Sequence, residues 1–220
     1  MKKIISLIIK IILIVSVIVG IIFCFVSDEA FMNKGATMLY FTIQSNIWIA
    51  IIDLIGLILI IINKNNRLNT IFKLMFTVSI TLTGLVYNLA LAPLLSNPYN
   101  VQNTLLHVVT PILGIVDWFL IDDSRLLKKY DFIYSIIPPI YYLIFASIGY
   151  VAKWDFGNGS RFPYFFLNWG SKVGAFGFDF NSGNEYFMGV VYWVILITIF
   201  VIGVSLLFSF LNKKIRNKYN

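Results

Sequence analysis

The fold class that the sequence predicts is an all-α, polytopic membrane protein of six transmembrane helices with both termini in the cytoplasm. Three features predict it: composition, six long apolar segments, and an uneven distribution of basic residues between the loops. The 220 residues are 59% hydrophobic, 17% aromatic and only 12% charged, with a mean hydropathy of +0.86. Soluble domains carry about 25% charged residues, and half that amount cannot cover a water-soluble globule. An ordinary soluble enzyme, a disordered chain and a nucleic-acid-binding domain are excluded on this ground. The formal charge of +7 therefore reads as membrane topology, with no nucleic-acid partner. The single cysteine, Cys24, lies in an apolar run, so neither an internal disulfide nor a cysteine metal site is expected.

The six segments lie near 4–26, 40–62, 71–94, 103–121, 132–151 and 186–210, in one domain covering 1–220. Each is about 20 residues, the length that the hydrocarbon core demands. The first imitates a signal peptide, but its apolar part is long and no small-x-small cleavage site follows, so it reads as a retained helix. Lys10, a few turns in, is expected to snorkel its ammonium to the near surface. Lys2, Lys3, Lys64, Arg67, Lys73, Arg125, Lys128, Lys129, Lys213, Lys214, Arg216 and Lys218 fall on one side of the membrane. Lys34, Lys153, Arg161 and Lys172 fall on the other. Twelve against four places both termini in the cytoplasm and the loops at 27–39, 95–102 and 152–185 outside. The tail from Asn212 reads as a basic anchor near anionic lipid. The 34-residue loop 152–185 is rich in aromatic residues and in glycine, at positions 157, 159, 170, 174, 177 and 183. It is too apolar to stand free in water, so it lies on the membrane interface or folds back over the bundle as a lid.

Polar side chains inside the spans are not scattered. Thr42, Ser45, Asn46, Ile49 and Asp53 in the second span fall on one helical face. Thr77, Thr81, Gly84 and Asn88 in the third, and Asn103, His107, Thr110, Gly114 and Asp117 in the fourth, repeat the spacing. Such stripes face one another rather than lipid. Asp53 requires a partner or a proton at mid-membrane, and Asp117 is expected to pair with Arg125 or nearby lysines. The alternating directions of the spans bring Thr42, Asn88 and His107 to one depth beneath the aromatic loop, with Gln44, Ser45, Asn46 and Asn103 close by.

His107 is the only histidine. One imidazole without a carboxylate pair is a poor metal site, and no metal or other cofactor is expected. A hydroxyl nucleophile needs a base within hydrogen-bond reach, and imidazole is the usual one. Thr42 with His107 is such a pair; Ser45 with His107 is its rival one turn deeper, and chemistry alone favours the less hindered serine. No GxSxG elbow is present. Asp117, about 15 Å along the axis, is too far to orient His107, which leaves Asn103 or Asn88 for that task.

The segment Tyr40-Phe41-Thr42-Ile43-Gln44-Ser45-Asn46 resembles the T-x-Q-S-N signature of the androgen-induced and androgen-dependent family of integral membrane proteins. His107-Val108-Val109-Thr110-Pro111, followed by Asp117-Trp118, resembles that family's H-x-x-x-P element. Arg161 to Asn168 is similar to its Y-P-Y-x-F-L-(D/N) element, with Phe162 where a tyrosine is common. Animal members are atypical threonine hydrolases of fatty acid esters of hydroxy fatty acids. The resemblance implies that Thr42 is the nucleophile and His107 the base.

The resulting expectation is an intramembrane lipid ester hydrolase in a bacterial plasma membrane, a setting suggested by the Ile- and Asn-heavy composition. Its partners are the bilayer and a membrane lipid or fatty acid ester. Ser45, Asn46, Asn88, Asn103, Pro163 and Tyr164 are the substrate-binding or oxyanion candidates, with Asn46 and Asn88 foremost for the oxyanion and Pro163 to Trp169 as entry or lid. The alternative is a non-enzymatic small-molecule or proton-coupled transporter or lipid-binding protein, with Asp53 and Asp117 lining a path. The hydrolase predicts an apolar pocket closed below; the transporter predicts a continuous polar cavity; a scaffold predicts no pocket.

Overall fold

The computed structural model describes residues 2–26, 34–120, 124–180 and 187–218. Six helices among them are long and apolar enough to cross a membrane. They are α1 (Lys2–Val26), α2 (Phe41–Ile61), α3 (Arg67–Leu91), α4 (Val101–Leu120), α5 (Asp131–Val151) and α6 (Val190–Lys218). No β-strand occurs among the described residues; one isolated bridge joins Phe178 to Met188. Parts of two expected outer loops, 27–33 and 181–186 with Gly183, lie outside the described residues, as do 121–123 at the end of the fourth span.

α3 is the central helix. Its most apolar stretch is 61% buried, against 17% for α6, and it packs on α2, α4, α5 and α6. It begins four residues earlier than hydropathy suggests, because the Asn66 side chain accepts from the Asn69 N–H at 2.8 Å and caps the first turn. α5 opens on a tight 3₁₀ turn anchored by Asp131, which accepts from Arg67 Nε at 2.8 Å and from the Lys128 N–H at 2.8 Å. α6 runs on through the expected basic tail, and Asn212 is buried within the bundle. Its amide donates to the Trp118 carbonyl at 2.6 Å and its Oδ1 accepts from the Ser124 N–H at 3.2 Å. At the start of the chain Lys3 Nζ donates to Asn63 Oδ1 at 2.6 Å. Both chain ends therefore sit at the same end of the bundle, called here the basic end; the segment 152–180 covers the opposite, aromatic end.

Two lysines depart from the sequence reading. Lys10 does not snorkel: it is 2% exposed, with its ammonium 3.0 Å from Asp53 Oδ1 and 2.5 Å from Asp117 Oδ2. Lys73, counted on the cytoplasmic side although it lies near the start of the third span, is 1% exposed inside α3, in contact with Asp53 Oδ1 and 2.8 Å from Asp117 Oδ2. Ser6 Oγ donates to Asp117 Oδ1 at 2.6 Å. The cause is the same for both: an ammonium in the apolar interior is tolerated only beside an anion, and two carboxylates stand ready on α2 and α4. Asp117 thus pairs with Lys10 and Lys73. With Lys73 withdrawn into the bundle, the loop asymmetry becomes eleven against four, and its sense is unchanged.

Part of the aromatic segment folds back over the bundle. Phe156, Leu167 and Val173 are buried, and Tyr164, Phe166 and Trp169 pack on the main core. Phe176, Phe178 and Phe180 stay 68%, 50% and 81% exposed.

Candidate functional site

The polar stripes meet at the aromatic end. Thr42, in the first turn of α2, is 7% exposed, and His107, on α4, is 4% exposed. Thr42 Oγ1 lies 3.3 Å from His107 Nε2. Nδ1 of the same ring lies 3.2 Å from the Asn103 carbonyl. A carbonyl can only accept, so Nδ1 carries the hydrogen and Nε2 presents its lone pair to the threonine hydroxyl. Asn103 orients the ring through its backbone rather than its side-chain amide. Tyr87 stacks on the imidazole at 3.8 Å between centroids and 16° between planes, and its hydroxyl donates to the Pro98 carbonyl. Sequence reasoning missed Tyr87; its signal was the i, i+3 step from Gly84 on the stripe of α3.

The backbone beneath this pair is irregular. Leu105–Val109 of α4 and Tyr87–Leu91 of α3 are π-helical, a geometry found mostly as single turns at functional sites. Pro111 follows the α4 turn and lacks an N–H, so it leaves the carbonyl of His107 (α register) and that of Leu106 (π register) without a helical donor. Asn88 Nδ2 donates to the His107 carbonyl at 3.0 Å and Asn46 Nδ2 to the Leu106 carbonyl at 3.2 Å. The same amides also serve the Gly84 and Thr42 carbonyls at 2.7 and 2.8 Å. This corrects the reading of Asn46 and Asn88 as oxyanion donors: each amide is committed to a carbonyl that Pro111 leaves without a donor and to a carbonyl of its own helix. Gly84 makes the arrangement possible, since a Cβ there would lie 3.0 Å from Pro111 and 3.1 Å from the His107 carbonyl. Gly84→Val is expected to cost about 1–3 kcal/mol through overpacking, read as a lower Tm in detergent. Ser45 does not approach the imidazole as a rival nucleophile; its Oγ bonds the Thr83 hydroxyl at 2.7 Å and the Thr42 carbonyl at 3.1 Å.

Donors of another kind surround Thr42. The N–H groups of Phe41 and Thr42 belong to the first turn of α2, where no intrahelical acceptor exists, and Tyr40 offers no side-chain cap. The Tyr164 phenol stands close to both groups, to the Thr42 hydroxyl and to Tyr142. Burial pushes this phenol above the ordinary tyrosine range, against the pull of these neighbours, so it is a neutral donor. Tyr142 donates to the Leu39 carbonyl at 3.0 Å.

An almost wholly apolar cleft begins at Thr42. It is lined by Phe41 and Thr42 of α2, Leu82 and Val86 of α3, Tyr142 of α5, Val194 and Ile197 of α6, and Tyr164 and Phe166 from the aromatic segment. Tyr164 also borders a second, more polar basin with Tyr40, Arg161 and Pro163, so one phenol separates the two. Pro163 lines the basin and not the cleft. His107 lies behind Thr42 and lines neither.

Towards the basic end the stripes are interrupted. Leu13, Ile49 and Ile80 are fully buried and converge on Gly114, which lies between His107 and Asp117 on α4. This apolar layer divides the Thr42–His107 pair from the Lys10–Asp53–Lys73–Asp117 cluster. No group of three or more His, Cys, Asp or Glu able to hold a metal occurs among the described residues. No family model matches the chain, and neither a curated protein nor a solved structure matches it significantly.

Proposed function

We propose that the protein is an intramembrane threonine hydrolase of lipid esters, such as fatty acid esters of hydroxy fatty acids, standing in a bacterial plasma membrane with both termini in the cytoplasm. The observation that carries the reading is the Thr42 hydroxyl at the head of an apolar cleft, 3.3 Å from an imidazole nitrogen whose tautomer makes it an acceptor. Apolar walls suit an acyl chain, and the cleft ends where a nucleophile, a base and spare N–H donors stand together.

In the proposed reaction His107 Nε2 takes the Thr42 proton as Oγ1 attacks the ester carbonyl carbon. The carbonyl electron pair moves onto oxygen, where the N–H groups of Phe41 and Thr42 and the Tyr164 hydroxyl receive it, at the positive end of the α2 dipole. Collapse expels the alcohol, which takes the proton from His107 and leaves an acyl-threonine. Water attacks this ester with His107 again as base, and the acid leaves with Thr42 restored. The polar basin behind Tyr164 supplies that water.

The resemblance of Tyr40–Asn46, His107–Pro111 and Arg161–Asn168 to the androgen-induced family supports the same two residues. The apolar layer of Leu13, Ile49 and Ile80 speaks against a continuous polar path and hence against the transporter reading. The test is turnover of a long-chain ester by the purified protein in nanodiscs, with labelling of Thr42 by an alkyl fluorophosphonate. Absence of both turnover and label overturns the reading.

A further inference from the structure

The buried charge cluster has an opening of its own. A cavity at the basic end, about 170 Å³, is lined by Lys3, Lys10, Gly56, Asn63, Lys64 and Asn69, with Leu59 and Ile60 as apolar walls. No acidic side chain lines it. Lys10 forms its floor: two of its three N–H groups go to Asp53 and Asp117, and no described residue takes the third. Gly56 keeps the path to that ammonium open, since a Cβ there would lie 3.1 Å from Nζ. The four-residue cluster behind Lys10 sums to zero charge, so the ammonium groups of Lys3 and Lys64 at the mouth are uncompensated within the cavity. Asn69 Oδ1 is buried with no partner and can accept from a ligand hydroxyl.

The level of the mouth matters as much as its charge. Lys3, Asn63 and Lys64 stand where α1 begins and α2 has just ended. Ile4, Ile61 and Ile62 beside them are 62%, 70% and 51% exposed. This is the depth at which an apolar helix surface stops and headgroups start.

We infer that this cavity is a binding site for the phosphate of an anionic phospholipid headgroup. Lys3 and Lys64 hold the phosphate oxygens at the mouth, the third Lys10 N–H reaches an oxygen of the headgroup from below, and Leu59 and Ile60 flank its glycerol end. Lysine ammoniums act here as point charges toward phosphate, as they do at other phosphate sites. The inference does not depend on the hydrolase reading.

The full chain in phosphatidylcholine nanodiscs is titrated with phosphatidylglycerol, and bound lipid is counted by native mass spectrometry alongside Tm, which rises with a ligand that binds the folded state. Phosphatidylglycerol is expected to be retained and to raise Tm; added phosphatidylcholine does neither. Lys3→Gln with Lys64→Gln, both at exposed positions, is expected to weaken retention roughly 30-fold. Gly56→Leu fills the cavity without changing charge and has the same effect. Lys128→Gln with Lys129→Gln, which lowers charge at exposed positions outside the cavity, leaves retention intact. A preference for phosphatidylglycerol that survives both the mouth pair and Gly56→Leu, or that falls equally with the Lys128 and Lys129 pair, overturns the site in favour of diffuse attraction to a basic surface. Inorganic phosphate that raises Tm in pure phosphatidylcholine discs, and stops doing so in the mouth variant, keeps the site but overturns the lipid as its source.

Discussion

Thr42→Ala is expected to lower ester turnover by a factor on the order of 10⁴–10⁶, the scale on which removal of a nucleophile or its base is felt in triad hydrolases. The hydroxyl it removes is the one that faces His107 Nε2 at 3.3 Å, and no neighbour can take its place. Ser45, one turn away, has its oxygen bound to Thr83 and to the Thr42 carbonyl. Ser45→Ala is therefore expected to stay active, whereas Thr42→Ser, which keeps the oxygen and removes a methyl, retains turnover. His107→Gln loses as much as Thr42→Ala, and the double variant loses no more than either, because the two act as a unit. Tyr164→Phe is the informative intermediate. Losing one of several oxyanion donors costs about 10²–10³ in kcat, and because the ring still lines the cleft, KM is expected to change little. Full turnover in Thr42→Ala would sink the dyad; equal losses in Ser45→Ala and Thr42→Ala would move the nucleophile one turn down the helix.

The helices and the convergence of three polar stripes were legible because periodicity reports the face of a helix directly. Thr42, Ser45, Asn46 and Asp53 fall at spacings that only a buried stripe explains, and all four are buried. What each stripe residue does was less legible, because that depends on atoms contributed by other elements. Asn46 and Asn88 look like oxyanion donors until Pro111 is seen to strip two carbonyls of their N–H partners. The donors proposed in their place are backbone groups at the start of α2, and no side-chain alphabet announces them. Lys10 and Lys73 were misplaced for the same reason. A lysine near a helix end reads as snorkelling or as cytoplasmic unless its carboxylates, 43 and 20 residues away in sequence, are known to sit beside it.

Those carboxylates carry the second large effect. Lys73→Met is expected to destabilise the protein by about 3–5 kcal/mol, the cost of leaving one charge of a buried set unpaired. It is measured as a shift in the SDS-induced unfolding midpoint of the purified protein. Lys73 is 1% exposed and Asp53 and Asp117 are both fully buried, so the variant leaves two carboxylates to share the single ammonium of Lys10. Removing the opposite charge as well reverses the argument. Asp53→Leu with Lys73→Met leaves Lys10, Asp117 and Ser6 as a neutral, hydrogen-bonded remainder, and this double variant is expected to recover most of the lost stability. Equal destabilisation in the single and double variants would mean that the cluster acts through its packing rather than its charge. The choice of partners explains why such a cluster is kept at all. It joins α1, α2, α3 and α4 at the basic end, and α2 and α4 are the helices that carry Thr42 and His107 at the other. An ion pair in the bilayer core tolerates little slippage, because each turn of misregister exposes a charge to hydrocarbon. The cluster thereby fixes the register in which a hydroxyl on one helix and an imidazole on another meet on the far side of an apolar layer. Folded Lys73→Met is accordingly expected to lose ester turnover although it touches neither residue, and Asp53→Leu with Lys73→Met to regain it.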